Sequence, residues 1–405
     1  MKVAARSQVP PFAVMEVIAA ANARRAAGAD VLNLCAGEPS GGAPAAVREA
    51  AAAALAGGSL GYTEALGMPA LRAEIAAHYR RWYGVEVDPG SVAVTTGASG
   101  GFVLAFLTAF DVGDRVAVVR PGYPAYRNLI TALGCEVVDV PCGPEVRFQP
   151  TVELLDALVA DAPIDGLVLA GPANPTGTLV EPAALAAIAA WCEAHDVRLV
   201  SDEIYHGITY GAGEVGSTGA GSGVAVSGHG AGAPTAATSD GALVVGSFSK
   251  YWAMTGWRLG WLLLPPDLVA PVDALAGNLA LCPPTLSQHA AVAAFTPEAY
   301  AAADANVATY ARSRAVVLDR LAELGWRDPA PADGAFYVYA DVSSSGLDSV
   351  TYCARLLDEA GVALTPGTDF DPVDGGTRVR LSFATTPDVV AAAVDRIAGW
   401  RAGLG

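Results

Sequence analysis

The chain has 405 residues, of which 53% are hydrophobic and 16% are charged, and its formal net charge is −17. This length suits two domains, at roughly 150 residues per domain, and the hydrophobic fraction allows a large buried interior. The acidic charge argues against nucleic acid or an anionic membrane as the main partner, because phosphate binding needs clustered lysine and arginine.

The N-terminus lacks the layout of a secretion signal, because its first apolar stretch is broken by QVPP and followed by NARR. No apolar run is long enough to span a bilayer as a helix. Six cysteines are scattered without a CxxC pair, a pattern that favours small buried residues over zinc ligands. We therefore expect a cytoplasmic protein with no membrane span and no metal site.

Residues 1–45 form a predicted N-terminal arm, and residues 46–284 form a large domain in which strand-like and helical runs alternate. The predicted strands are short and rich in β-branched residues: SVAVTTG, RVAVVRPG, CEVVDVP, GLVLAGP, VRLVSDE and ALVVGSFS. Helical runs such as SGGFVLAFLTAF and PAALAAIAAWCEAHD lie between them. This alternation predicts an α/β fold with a mostly parallel sheet covered by helices on both faces.

Residues 211–242 interrupt this pattern, with ten glycines between 211 and 241. Such a composition cannot bury enough apolar surface to offset the entropy of ordering it. We expect a flexible surface loop inserted before the strand that begins at 243, with a functional lid as the alternative.

Residues 285–405 form a predicted smaller α+β domain, against which the N-terminal arm packs. A long helical pattern, EAYAAADANVATYARSRAVVLDRLAELG, leads into the strands GAFYVYA, GVALTPG and TRVRLSFA. The helix TYCARLLDEA lies between the first two strands, and another helix follows the last. The break between the two domains falls near CPPT, residues 282–285.

Polar residues follow the strands of the large domain where each strand ends. The turn ASGG, after VAVTTG, opens a helix whose free N–H groups can hold a phosphate. The other polar residues at strand ends are Tyr123, Asn174, Asp202, Tyr205, Ser247, Lys250 and Arg258. Since parallel strands end at one edge of a sheet, these side chains are expected to share one site.

Lys250 is one of two lysines in the chain, the other being Lys2, whereas the remaining 22 of the 24 basic residues are arginines. An arginine side chain supplies charge but cannot lose its proton in a protein. A desolvated lysine amine can act as a nucleophile in Schiff-base chemistry. The alternative is a structural lysine at the end of a helix or strand, with its aliphatic stem buried and its ammonium group in solvent.

Three segments, GPANPTG, SDEIY and SFSKYWAMTGWRLG, resemble the signatures of pyridoxal-phosphate (PLP) enzymes of fold type I, the class I and II aminotransferase family. LNLCAGEPS, GYTEALGMPALRAEIAAHY, RPGYPAY and GTRVRLSFA resemble further motifs of that family in the same order. The resemblance extends from about residue 10 to residue 400. It implies an aminotransferase with a large PLP-binding domain, a smaller C-terminal domain and a homodimeric active unit.

The resemblance also implies a role for each strand-end residue. Lys250 forms the internal aldimine with the PLP aldehyde and later moves the proton of the substrate α-carbon. Asp202 pairs with the pyridine nitrogen and keeps the ring protonated. Asn174 and Tyr205 donate to the phenolic oxygen of the ring, and Tyr123 stacks on the ring.

The same resemblance implies which residues bind the two anionic groups, the PLP phosphate and the substrate α-carboxylate. Arg258, Ser247 and the N–H groups of Ala98 and Ser99 hold the PLP phosphate, and Tyr62 reaches the phosphate of the neighbouring subunit.

Arg380 binds the substrate α-carboxylate, and Gly37 allows the backbone to approach that carboxylate. Arg378 shares a strand face with Arg380 in an ideal strand. The choice between them depends on the position of Arg380 directly before the residues LS.

Other outcomes on the same machinery remain open. The alternatives are a PLP-dependent carbon–sulfur β-lyase, or another α-carbon reaction, and a regulatory domain that binds PLP without turnover. For substrate choice, Ser99 stands where some relatives carry a lysine that serves acidic substrates. We therefore expect neutral, apolar or aromatic donors, unless Arg6, Arg127 or Arg378 enters the pocket.

Overall fold

The computed structural model describes residues 1–211 and 232–404. The described helices are α1 (Ala13–Ala26), α2 (Ala45–Ala56), α3 (Pro69–Tyr83), α4 (Gly97–Ala109), α5 (Pro124–Leu133), α6 (Val152–Val159), α7 (Pro182–Ala194), α8 (Pro266–Ala280), α9 (Thr285–Ala291), α10 (Pro297–Leu318), α11 (Leu321–Leu324), α12 (Ser349–Ala360) and α13 (Pro387–Ala402). The described strands are β1 (Leu32–Asn33), β2 (Val92–Thr95), β3 (Arg115–Arg120), β4 (Glu136–Pro141), β5 (Gly166–Ala170), β6 (Arg198–Asp202), β7 (Leu243–Ser247), β8 (Gly260–Leu263), β9 (Tyr337–Asp341), β10 (Val362–Ala363), β11 (Thr365–Pro366) and β12 (Arg378–Ser382). None of the described helices is both long and apolar enough to cross a membrane.

The large sheet has the strand order β2-β8-β7-β6-β5-β3-β4 in the described part of the chain. Neighbouring strands run parallel from β7 to β4, whereas β8 runs antiparallel to both β2 and β7. The mostly parallel sheet predicted from the sequence is confirmed. Strand β8, of sequence GWLL, was not predicted, because a short apolar run without alternation or β-branched residues does not distinguish a strand from a buried helical segment.

Helices cover both faces of this sheet, as predicted. On β3, Val116 and Val118 belong to a buried cluster that includes Phe102 and Phe106 of α4. The intervening Ala117 belongs to a second buried cluster, which contains residues of α6 and α7. Successive strand residues point to opposite faces, so both faces are buried and the strands read as nearly continuous apolar runs.

The C-terminal residues form a separate antiparallel sheet in the order β11-β12-β9, together with α10, α12 and α13. The N-terminal arm contacts this unit, because β1 pairs in parallel with β10 and its Leu32 lies opposite Val362. The domain boundaries at 45 and 284 remain a proposal.

The prediction for residues 211–242 needs a correction in its last third, while residues 212–231 lie outside the described residues. Thr235 and Ala236 are 5% and 1% exposed rather than on the surface. The buried carboxylate of Glu203 accepts hydrogen bonds from the Thr235 hydroxyl and the Ala236 N–H, each at 2.7 Å. A buried carboxylate that needs donors thus fixes the end of a segment whose composition alone predicts a loop.

Candidate active site

One cavity of about 350 Å³ lies at the carboxyl edge of the parallel strands, between the large sheet and the C-terminal unit. Its volume falls in the range of small-molecule sites, roughly 300–1,000 Å³. The predicted site residues that line it are Gly37, Ala98, Ser99, Tyr123, Asn174, Asp202, Tyr205, Ser247, Lys250, Arg258 and Arg380. Tyr62 does not line it and is 84% exposed.

Lys250 follows β7 and points its amine into the cavity. Its Nζ donates to the carbonyl of Gly37 at 2.6 Å and lies 5.9 Å from the centre of the Tyr205 ring. Burial, followed by the positive charge of Arg380, lowers the pKa of Lys250 to about 8. The amine is still mostly protonated at neutral pH, but its unprotonated form is far more accessible than in an ordinary lysine, as a nucleophile or base requires.

Asp202 ends β6 and is 3% exposed. Its carboxylate accepts from the N–H of Ile204 at 3.0 Å and from the hydroxyl of Tyr126. Burial raises the pKa of Asp202 to about 6, while the hydrogen bond from Tyr126 opposes that increase. A cationic N–H group placed against this carboxylate would stabilise its charged form.

Arg380 lies on β12 and is 3% exposed. Its guanidinium donates to Asn174 Oδ1 at 2.8 Å and to the carbonyl of Cys35 at 2.6 Å, while its Nε has no hydrogen-bond partner. Among the described residues no carboxylate forms a salt bridge with it. A buried guanidinium with a free donor is suited to an incoming carboxylate.

Arg378 takes a different environment, although it is two residues away on the same strand. Its guanidinium carbon lies 5.6 Å from the ring centres of both Phe148 and Tyr339, and it donates to the carbonyl of Asp328. Arg127 pairs with Asp139, and Arg6 is exposed. These three arginines do not line the cavity.

The start of α4 and Arg258 together form a cradle for an anion. Gly97 opens α4 with φ +67°, and a Cβ atom there would lie 2.5 Å from Nη2 of Arg258, so only glycine permits this approach. Arg258 donates to the carbonyl of Thr255 at 2.8 Å and forms no salt bridge with any described carboxylate. Buried Ser247 faces the same cavity. This donor set and the helix N-terminus suit a phosphate.

Tyr205 and Gly37 meet at Tyr337, a residue that the sequence did not identify. The Tyr205 and Tyr337 hydroxyls lie 2.6 Å apart. A Cβ atom at Gly37 would lie 2.1 Å from the Tyr337 hydroxyl, so glycine is required there for packing as well as for access. Tyr123 stacks on Phe12 of the N-terminal arm, with ring centres 6.0 Å apart.

Other cavity residues were also missed. Tyr126 lies three positions after Tyr123 in RPGYPAY, and the shared helix face could have indicated it. Tyr337 and the α1 side chains Val14, Met15 and Ile18 line the cavity from distant parts of the chain. No local pattern places such residues at the site.

Comparisons with known proteins agree with this geometry. Residues 29–397 match the model of the family described as aminotransferase class I and II. The chain is 54% identical over 403 residues to a valine–pyruvate aminotransferase of Mycobacterium tuberculosis, with 98% of each chain covered.

It is 35% identical over 390 residues to an aspartate/prephenate aminotransferase of Thermus thermophilus, covering 96% of this chain and 95% of the relative. A crystal structure of an aminotransferase from Mycobacterium tuberculosis superimposes with a TM-score of 0.93, at 54% identity and 100% coverage of both chains. The chain therefore belongs to the class I and II aminotransferase family and is an enzyme that passes an amino group from an amino acid to a 2-oxo acid.

Proposed function

We propose that this aminotransferase holds PLP in the cavity around Lys250 and takes neutral, apolar L-amino acids as its main amino donors. The observation that carries the proposal is the convergence of Lys250, Asp202 and Arg380 on one cavity. A lysine with a lowered pKa, a buried carboxylate and a buried arginine without a carboxylate partner supply the groups that this chemistry needs.

The residues present fit the cofactor. When bound, PLP supplies an aldehyde that reacts with amines and a ring that withdraws electrons from the substrate α-carbon. The first turn of α4, Ser247 and Arg258 would bind its phosphate. Asp202 would accept a hydrogen bond from the ring nitrogen and keep that nitrogen protonated.

Two further residues would contact the ring of the cofactor. Asn174 and Tyr205 would donate hydrogen bonds to its phenolic oxygen. The Oδ1 atom of Asn174 already accepts from Arg380, so the amide nitrogen is left to donate.

Lys250 would hold the proton that leaves the α-carbon of the donor. A base is most effective when its pKa lies near the working pH, and the pKa of Lys250 is lowered to about 8. Arg380 would orient the donor by binding its carboxylate, with Asn174 fixing one end of the guanidinium.

Replacing Arg380 with lysine should raise KM for every amino donor, with kcat/KM falling roughly tenfold or more, since a charge-assisted hydrogen bond is worth about 1.5–3 kcal/mol. Steady-state kinetics with several donors measure this effect. Arg378→Lys is the matched control and should stay close to wild type, because Arg378 contacts aromatic rings outside the cavity. Equal losses in the two variants would contradict the assignment of Arg380.

The preference for apolar donors is supported by the residues around the cavity. Val14, Met15 and Ile18 of α1 line it, and Ser99 at the start of α4 is uncharged. A second carboxylate on the donor would need another cation, and no further lysine or arginine of the described chain lines the cavity besides Lys250, Arg258 and Arg380. The name of the valine–pyruvate aminotransferase relative agrees with this preference.

The proposed donor class is tested with a panel of L-amino acids. We expect higher kcat/KM for valine, leucine, phenylalanine or alanine than for aspartate, with the matching 2-oxo acid detected as product. Faster turnover of aspartate than of all four neutral donors would refute this substrate class.

A homodimer is the proposed active unit. Leu60, Tyr62, Leu279 and Leu281 expose 37%, 84%, 57% and 50% of their surface. The two segments that carry them are joined by a hydrogen bond from Thr285 Oγ1 to the carbonyl of Gly61 at 2.8 Å. We infer that a second copy covers this apolar patch and that Tyr62 reaches the phosphate site of that copy.

Subunit mixing tests this arrangement. Tyr62→Ala and Lys250→Ala subunits are each expected to form defective homodimers, but a mixed dimer has one intact site if Tyr62 acts across the interface. Activity should therefore rise when the two variants are co-expressed. No rise, despite mixed dimers detected by mass spectrometry, would exclude a contribution of Tyr62 in trans.

A further inference from the structure

The N-terminal end of α1 lies over the cavity, where Val14 and Ile18 are only partly buried against the cluster that contains Leu357 and Ala363. Ala21 is the only buried residue within α1, and the preceding residue, Phe12, makes no side-chain hydrogen bond that caps the helix. Separate contacts hold the C-terminal end of α1, namely the salt bridge Arg24–Asp358 and the hydrogen bonds from Arg25 to the carbonyl of Val31.

Asp369 supplies the missing cap from the C-terminal unit. Its two carboxylate oxygens accept from the N–H groups of Ala13 and Val14, at 3.0 and 3.4 Å. Free N–H groups in the first turn and the positive end of the helix dipole both favour a carboxylate at this position. The contact joins residues 356 positions apart in the chain.

The residues next to this cap form part of the site. Val14 is capped directly and lines the cavity, as do Met15 and Ile18. The neighbour of Asp369 on the other side, Phe370, has its ring centre 4.6 Å from the guanidinium carbon of Arg380. One short segment therefore contacts both the arginine proposed to hold the α-carboxylate and the helix whose side chains line the cavity.

We propose that Asp369 is a positioning residue that sets selectivity for apolar donors by fixing the start of α1 over the cavity. This inference rests on the proposed function of the site. Without the cap, the first turn of α1 loses two hydrogen bonds, and the apolar wall formed by Val14, Met15 and Ile18 is positioned by side-chain packing alone. A donor with a large apolar side chain then loses contacts with this wall, whereas the methyl group of alanine is too short to make many of them.

The test compares leucine with alanine in the half-reaction of the PLP-loaded enzyme, followed as the loss of its visible absorbance in a stopped-flow instrument. Asp369→Ala should lower the leucine-to-alanine ratio of rate constants at limiting donor by roughly tenfold, the scale of one or more lost apolar contacts. Asp369→Asn, which keeps one acceptor oxygen, should recover part of the ratio.

Two controls separate positioning from a loss of stability. Asp348→Ala removes a comparable cap from α12, in which Asp348 accepts a hydrogen bond from the N–H of Thr351 at 2.9 Å. Asp348 does not line the cavity, so this substitution should leave the ratio unchanged. Val14→Ala should lower the ratio by itself, and adding it to Asp369→Ala should cause little further loss, because both act through the same wall.

Equal slowing of alanine and leucine in Asp369→Ala, or full additivity in the double variant, would overturn the inference. Absence of any half-reaction in the wild-type enzyme would instead refute the proposed function. The two failures are thus distinguishable.

Discussion

Lys250→Ala is expected to yield a folded protein that binds PLP non-covalently and has lost turnover by a factor of at least about 100, the low end of what a positioned acid or base contributes. The loss of the nucleophile adds to this effect. The described structure offers no other lysine near the cavity, since the only other lysine is Lys2 at the exposed N-terminus. Steady-state turnover and borohydride trapping of the cofactor measure the two losses.

Because the chain has only two lysines, one substitution provides the control. Lys2→Ala removes the other lysine of the chain and should leave both turnover and covalent trapping unchanged. Lys250→Arg keeps the positive charge but cannot supply a free amine, so it should be as inactive as the alanine variant. Near-normal turnover in either Lys250 variant would disprove the assignment.

Asp202→Asn is expected to lower kcat by roughly 100-fold or more, because it would replace the charge-assisted hydrogen bond proposed for the ring nitrogen with a neutral one and leave the ring less able to accept electrons. Asp202 is buried and accepts hydrogen bonds from Tyr126 and Ile204, which hold its carboxylate in place. Affinity for PLP should fall as well. Rapid-mixing kinetics and fluorescence titration with PLP measure these changes.

Glu203→Gln provides the matched control for this substitution. Glu203 is the next residue and is also a buried carboxylate, but its oxygens bind Ser201, Thr235 and Ala236 instead of facing the cavity. We expect kcat within a few-fold of wild type for the folded fraction of this variant. A larger loss of kcat in Glu203→Gln than in Asp202→Asn would show that the essential carboxylate is Glu203 and not Asp202.

The distribution of charge explains how an acidic chain can bind two anionic groups. Although the net charge is −17, Lys250, Arg258 and Arg380 all line one cavity. Arg258 lies beside the start of α4, whereas Arg380 contacts Asn174 and the carbonyl of Cys35. Phosphate and α-carboxylate would therefore bind at separate positions, with the amine of Lys250 available to the reacting atoms between them.

Much of the fold and most of the site could be predicted because parallel strands bring their carboxyl ends to one edge. Asp202 ends β6 and Lys250 comes shortly after the end of β7, so their shared location follows from the parallel pairing of these two strands. Residues whose position depends on contacts between distant elements were not accessible in this way. Tyr337 reaches Tyr205 from another sheet, and Asp369 caps a helix 356 residues away.

The choice between Arg378 and Arg380 also depends on contacts with distant parts of the chain, which the sequence pattern does not reveal. Strand alternation places both on one face, and only the family pattern favoured Arg380. Their surroundings differ because the guanidinium carbon of Arg380 lies 4.4 Å from the ring centre of Tyr337, inside the cavity, whereas Arg378 packs on Phe148 at the start of the strand. Likewise, glycine content predicted a loop at 235–236, but the buried carboxylate of Glu203 holds these residues in place.

The most direct test of the central claim is the visible absorption spectrum of the PLP-loaded enzyme before and after one addition of L-leucine, with the products quantified. We expect a visible band that borohydride can trap at Lys250. Leucine should abolish the band and yield one equivalent of the matching 2-oxo acid, and a second 2-oxo acid should restore it. A band that persists while a cysteine-like substrate yields ammonia and pyruvate would contradict transamination, and the absence of any band that can be trapped at Lys250 would contradict the role of this lysine.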